Sequence, residues 1–298
     1  MNTRALKHFL ALADTLHYGR ASTECNISIS ALSRNIRQLE EEVGVSLFNR
    51  DNRTVALTPE GQRFLTYARE TRRQWQSIKQ SLAGDDQTLR GEVSIYCSVT
   101  ASYSFLYDLL SRLRATHPGI EIKLHTGDAE HAIGRILSGD EEITIAARPK
   151  TLPRGLAFKP ITRSPLVFIA PLKQPHGNIF KVPNSREEWQ QTPMILSESG
   201  VSRNQLDQWF EEAGIIPNIY AQVAGNEAIV SMVSLGFGVG VVPKIVLDNS
   251  PLAVKVRVLK VEPALAPYDI GLFTLQKSLK NPVVEAFWNL ISADAVDQ

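Results

Sequence analysis

"NISISALSRNIRQLEEEVG", residues 26–44, has two unlike ends: serines and arginines in its first half, three consecutive glutamates near its close. On a helical wheel Leu32, Ile36, Leu39 and Val43 share one side, spaced four, three and four apart. Ser30, Ser33, Arg34 and Arg37 cluster opposite. Ser28 is a natural N-cap, and Ile27 and Leu32 stand where a hydrophobic staple joins the chain entry to the first turn. Upstream, "RASTEC" (20–25) reads as a short helix. Asn26 then occupies a tight turn with a left-handed backbone, which glycine and asparagine tolerate best. Short helix, tight turn, helix with one apolar face: this is the helix-turn-helix arrangement.

The wheel alone also fits a solvated amphipathic helix, so the flanking sequence decides. Arg34 and Arg37 suit guanine edges or phosphates, and the short Ser28, Ser30 and Ser33 allow close approach to bases or backbone. Glu40, Glu41 and Glu42 are repelled by phosphate and mark the end that leaves the groove, with Glu41 spaced to pair with Arg37. "LFNRDNRTVALTPEG" (47–61) reads as a hairpin turning at Asp51-Asn52, with Arg50 and Arg53 beside its tip. That is the look of a DNA-flanking wing, and also of a plain surface hairpin. Residues 59–83 read as one long helix, with Thr58 as N-cap, Pro59 in the first position and Glu60 at the positive end of the dipole. Phe64, Ala68, Thr71, Trp75, Ile78 and Leu82 form a heptad seam, imperfect at Thr71, which predicts dimerisation through a coiled coil. A dimer supplies the two-fold symmetry that paired half-sites require.

"GDDQTLRG" (84–91) is a linker by composition, and from Glu92 strands alternate with helices. The pattern restarts at "LVFIAP" (166–171), so two α/β lobes fit better than one. The chain is therefore expected to be α+β. Its domains are a winged helix-turn-helix over 1–58, a linker helix and hinge over 59–90, and a two-lobed α/β domain over 91–298. Lobe 1 is expected over about 91–160 and 267–298, lobe 2 over about 161–266, with the stretch 148–165 crossing between them.

Composition agrees with a globular chain: 298 residues, 43% apolar and 21% charged. Residues 1–90 hold 13 Lys/Arg against 10 Asp/Glu, and the remainder 19 against 21, a mild basic excess at the N-terminal end. Cys25 and Cys97 lie in apolar stretches without metal-ligand spacing and read as buried free thiols of a reducing cytoplasm. No secretory or membrane-spanning segment is legible, so a cytoplasmic protein without a membrane partner is expected. "GFGVG" (236–240) lacks the spacing of a nucleotide loop, and the histidines are scattered. Asp128 and His131 read as a helix cap and a surface residue rather than an acid–base pair. No catalytic residues, metal or cofactor are therefore expected. The lobed half alone would also suit a solute-binding protein, but the N-terminal module argues against that.

Two strand ends feed helix starts, where free N–H groups favour an anion. "VSIYC" runs into Ser98, Thr100 and Ser102, and "MILSES" into Ser199 and Ser202. In a two-lobed α/β fold such ends line the cleft, so they make a grip for a small carboxylate. Ordinary capping is the competing account for each. Thr126, at the next strand end, and Arg148, near the crossing, are further candidates, although a surface role suits Arg148 equally.

"RASTECNISISALSRNIRQLEEEVGVSLFNRDNRTVALTPEG" resembles the N-terminal domain of LysR-type transcriptional regulators. The resemblance continues through "LRGEVSIYCSVT", "RATHPGIEIKLHTGD" and "MVSLGFGVGVVP" and so spans essentially the whole chain. It implies an effector domain like a periplasmic solute-binding protein, operator DNA and RNA polymerase as partners, and assembly as a dimer and commonly a tetramer. It also favours Thr100, Ser102 and Ser202 as effector contacts. "DNRTVALTPEG", "YCSVTASYSFL" and "VAGNEAIVSMVSLGFGVGVVP" look most like an activator of branched-chain amino acid synthesis. That implies control of the acetohydroxy acid isomeroreductase gene, with 2-acetolactate or 2-aceto-2-hydroxybutyrate as inducer. Ile29-Ser30 departs from the Gln or Pro of many family members, which bears on base preference.

Overall fold

The computed structural model describes residues 3–50, 54–82, 89–173 and 181–291, with backbone alone at 50, 73, 76, 77 and 79–82. The chain divides between residues 82 and 89 into two compact units.

The first unit comprises α1 (Thr3–Thr15), α2 (Tyr18–Cys25), α3 (Ile29–Val43), the hairpin strands β1 (Phe48–Arg50) and β2 (Val55–Leu57), and α4 (Pro59–Leu82). Phe9, Leu12, Leu32, Ile36, Leu39 and Leu47 are at most 1% exposed and form its centre. Burying each such side chain contributes roughly 1.5–3 kcal/mol. Phe9 is the hub, with its ring 5.3 Å from Phe48 on the hairpin and 4.8 Å from Phe64 on α4. Asn26 is left-handed (φ 55°), as the tight turn requires, and Ser28 Oγ accepts the Ala31 N–H at 3.2 Å.

Val43 does not join the apolar face of α3; it is 39% exposed. Gly44, at φ 80°, ends the helix and redirects the chain, so that Leu47 fills the core in its place. Thr58 caps α4 by accepting the Gly61 N–H at 2.8 Å, and its hydroxyl donates to Ser46 O at 2.8 Å. A Cβ on Gly61 would overlap the Leu47 carbonyl oxygen, so the start of α4 lies flat on the turn into the hairpin.

The second unit contains two five-stranded sheets. Lobe 1 is formed by β3 (Arg90–Cys97), β4 (Gly119–Thr126), β5 (Ile143–Ala147), β6 (Leu156–Ser164) and β12 (Tyr268–Leu275), in the order β4-β3-β5-β12-β6. Lobe 2 is formed by β7 (Leu166–Pro171), β8 (Pro193–Ser197), β9 (Asn218–Val223), β10 (Val239–Pro243) and β11 (Val256–Val258), in the order β11-β7-β10-β8-β9. In each sheet four strands run the same way and one runs against them, β12 in lobe 1 and β7 in lobe 2. The parallel strands deliver their C-terminal ends to the helix starts that carry the candidate ligand residues.

The crossing expected over 148–165 is shorter than its composition suggests. β6 occupies 156–164, so the chain changes lobe at Pro165 and the boundary expected near 160/161 falls inside a strand. β12 supplies a pairing partner along all of β6, and Pro160 lies at the register shift between Ile270 and Gly271. A bulge is one of the few places where a sheet tolerates proline.

Candidate DNA-reading face and ligand cleft

α3 presents Ser28, Ser30, Arg34 and Arg37 as exposed residues, with Ser33 half-buried beside them. The Ser28 and Ser30 hydroxyls lie 3.0 Å apart. Among the described residues no ion pair joins Arg37 to Glu41, so both guanidinium groups of this face stay open to a partner. Glu40 differs from its two acidic neighbours: its Oε1 accepts the N–H groups of Leu47 and Phe48 at 2.9 and 3.1 Å. It binds the end of α3 to the first strand of the hairpin. On the core side, Asn35 is hydrogen-bonded to the buried His8 ring at 3.0 Å. Burial first, then Arg4 and Lys7, lower the His8 pKa, which favours the neutral ring.

β1 and β2 pair antiparallel from Phe48–Leu57 to Arg50–Val55, which makes the expected hairpin. Its turn at Asp51-Asn52, Arg53 and the Arg50 side chain lie outside the described residues. The seam on α4 needs correction. Ala68 is fully buried in the first unit's own core and so is not presented to a second copy, and Phe64 is half-buried against that core. Thr71 is half-buried, Trp75 and Ile78 are 51% and 52% exposed, and the Leu82 side chain is outside the described residues. Heptad spacing cannot tell a seam for a partner from one that meets its own domain.

Between the lobes lies a cavity of about 310 Å³. Lobe 1 lines it with Asp128, Glu130, Ala146 and Ala147, and lobe 2 with Ser199, Gly200, Ser202 and Asn226. Tyr268 of β12 also reaches it. An apolar extension of about 50 Å³ shares Tyr268 and Asn226 and continues to Ser98, Phe105 and Ile145. The helix Val201–Ala213 opens onto the cavity with Gly200 at its N-cap and no side chain capping it. Its first-turn N–H groups and the hydroxyls of Ser199 and Ser202 form an anion-receptive end. Tyr268 lies beside Ser202; burial pushes its hydroxyl up to about 12, and Ser202 opposes the rise.

Among the described residues that line the two cavities, none is lysine or arginine. Arg203, at the same helix start, donates to Ser197 O and Gln222 Oε1, each at 2.8 Å, and pairs with Asp207. The opposite wall is acidic. Burial first, then Asp128, push the Glu130 carboxyl above the usual range; His131 opposes this and Glu198 of lobe 2 adds to it.

The seven expected ligand residues separate. Ser98, Ser199 and Ser202 line the cavities. Thr100 lines the extension, but its N–H and hydroxyl both donate to Glu227 Oε1 in lobe 2, at 3.2 and 2.5 Å. The helix start expected to grip a ligand carboxylate thus already holds one of the protein's own. Ser102 lies in a π turn and its hydroxyl bonds back to Val99 O at 2.7 Å. Thr126 is exposed at the end of the edge strand β4. Arg148 lies over the Phe158 ring at 5.2 Å and 4.0 Å from Asp269. These three line neither cavity. Glu227, Glu130 and Tyr268 escaped the sequence reading. A glutamate in the first turn of a helix, as in "GNEAIV", reads only as a dipole complement.

Asp128 caps its own turn by accepting the Glu130 N–H at 3.2 Å. Cys25 and Cys97 are free and buried, and burial pushes the Cys97 thiol up to about 11. Among the described residues no helix is long and apolar enough to cross a membrane.

Comparison with known proteins places this geometry. Residues 3–62 match the family described as bacterial regulatory helix-turn-helix protein, lysR family, and residues 86–295 match the LysR substrate binding domain. The chain is 42% identical over 295 residues to the HTH-type transcriptional activator IlvY of Salmonella typhimurium, covering 98% of this chain and 99% of that protein. A full-length OxyR variant from Pseudomonas aeruginosa shares the fold with a TM-score of 0.70 at 23% identity, over 97% of this chain and 94% of that one. Full-length CbnR, solved in complex with its target DNA, does so with a TM-score of 0.65 at 20% identity, over 98% and 99% of the two chains. A helix-turn-helix with two exposed arginines on its outer face, joined to a two-lobed ligand cleft, is thus a DNA-binding transcriptional regulator, and the chain belongs to the LysR family.

Proposed function

We propose that the chain activates the acetohydroxy acid isomeroreductase gene of branched-chain amino acid synthesis, with 2-acetolactate or 2-aceto-2-hydroxybutyrate as inducer. The 42% identity to IlvY over nearly the whole of both chains carries this reading. The cleft chemistry supports it. The inducer carboxylate meets the N–H groups and hydroxyls at Gly200–Ser202. Its tertiary hydroxyl donates to Asp128 on the acidic wall, and its alkyl group enters the small apolar extension, which suits a methyl and an ethyl alike. A LysR regulator of another pathway, with a different small carboxylate, is the competing reading.

On the DNA side the proposed contacts are Ser28, Ser30, Ser33, Arg34 and Arg37, with Arg50 and Arg53 from the wing. The exposed Trp75 and Ile78 would join two copies, and two such dimers a tetramer that contacts RNA polymerase in the cytoplasm. Trp75→Asp should then shift the protein toward monomer in sedimentation.

The deciding experiment is footprinting beside the isomeroreductase promoter with and without 2-acetolactate. Protection that changes with acetolactate supports the proposal. Protection there that ignores it points to another effector. No protection there, with a site elsewhere, assigns another pathway.

A further inference from the structure

Ile29 is the first residue of α3 and is 53% exposed, while Leu32, Ile36 and Leu39 of the same helix are at most 1% exposed. It is no part of the first unit's core. At about 100° per residue it stands about 40° around the helix from Ser33, on the border between the buried stripe and the serine–arginine face. Its neighbours are short, and their hydroxyls are engaged: Ser28 Oγ accepts the Ala31 N–H and lies 3.0 Å from Ser30 Oγ. At the leading end of α3 the group that reaches farthest is therefore a branched hydrocarbon.

A helix of this class enters the major groove by that end. The exposed Arg34 and Arg37 supply charge complementary to the flanking phosphates. Within the groove the base edges offer one apolar feature, the C5-methyl of thymine. We propose that Ile29 is a specificity-determining residue that reads thymine by packing against this methyl group. The assignment rests on α3 being the recognition helix. It concerns an apolar contact, separate from the polar ones proposed above.

The test uses the full-length protein and a duplex that it selects from a randomised pool. Each thymine is replaced in turn by deoxyuridine, which removes the methyl and leaves the base pair intact. The wild type should lose about four-fold in affinity at one thymine per half-site, the value of about one buried methyl. Ile29→Ala should bind the parent duplex more weakly by a similar factor, be indifferent to deoxyuridine at that position, and keep the wild-type salt dependence. Ile29→Gln should select a different base there. The proposal is overturned if no deoxyuridine position weakens the wild type, or if Ile29→Ala loses as much as the wild type on the substituted duplex. It is also overturned if Ile29→Ala weakens all duplexes alike with a changed salt slope, which would assign Ile29 to helix placement or to a protein contact.

Discussion

The two units of the molecule are both arranged for anions, by opposite means. The outer face of α3 offers guanidinium groups on exposed stems. The cleft offers an uncapped helix start and hydroxyls, has no lysine or arginine among its described lining residues, and faces two carboxylates. Exposed charges act over about a Debye length and are screened by salt. Short, directed hydrogen bonds in a half-enclosed cavity are not. The first arrangement suits a long uniform polyanion met at many points; the second suits one small carboxylate whose remaining groups must also fit.

Salt should separate the two most sharply. Raising it from about 50 to 200 mM should weaken operator binding on the order of 10³-fold, as expected for several phosphate contacts per dimer. Effector binding, followed by calorimetry at the same two concentrations, should change less than about two-fold. Comparable losses at both sites would dissolve the contrast.

Thr100→Val should lower the stability of the effector domain by about 1.5–3 kcal/mol in denaturant titration, because it removes a hydroxyl bonded to the Glu227 carboxylate. Operator affinity should stay within two-fold of wild type while the effector-dependent change in footprint is lost; an unaltered response would remove the inter-lobe bond from the account. Arg34→Ala should cost operator binding about 1–3 kcal/mol, with relaxed specificity if the guanidinium meets a base.

The smallest effect is expected at the acidic wall. Glu130→Gln should tighten binding of a carboxylate effector at neutral pH by about 0.5–1 kcal/mol, the scale of one screened repulsion. The Glu130 pKa is raised, so its repulsion is complete above that value and fades as pH falls through it. Wild-type affinity should therefore rise on mild acidification toward the raised value, and that rise should be missing in the variant. Identical pH profiles would show that Glu130 does not face the ligand.

What the sequence made legible follows the distance over which each contact forms. The left-handed Asn26, the Ser28 and Thr58 caps and the antiparallel hairpin arise between residues a few positions apart, where spacing and turn chemistry leave marks. Val43, Ala68 and Glu40 are decided by how three helices and a hairpin meet, and their local patterns misled. The cleft is harder still. Thr100 and Glu227 are 127 positions apart, and Ser202 meets Tyr268 across the lobes. Helix starts could be located, but not which cavity wall they face, so Ser199 and Ser202 fell inside while Ser102, Thr126 and Arg148 fell outside. β6 hid behind Pro160 because its strand character comes from β12.

The Glu40 carboxylate has a consequence for how quickly and selectively DNA is engaged. With the Leu47 and Phe48 N–H groups bound to it and Gly61 pressed on the Leu47 carbonyl, α3 and the first hairpin strand are set at a fixed angle before any duplex arrives. Little ordering entropy remains to be lost at this junction on encounter, so the match between that angle and the groove acts as a template. With α3 as the proposed reading helix, a duplex of the wrong width would be refused by shape before any base is read.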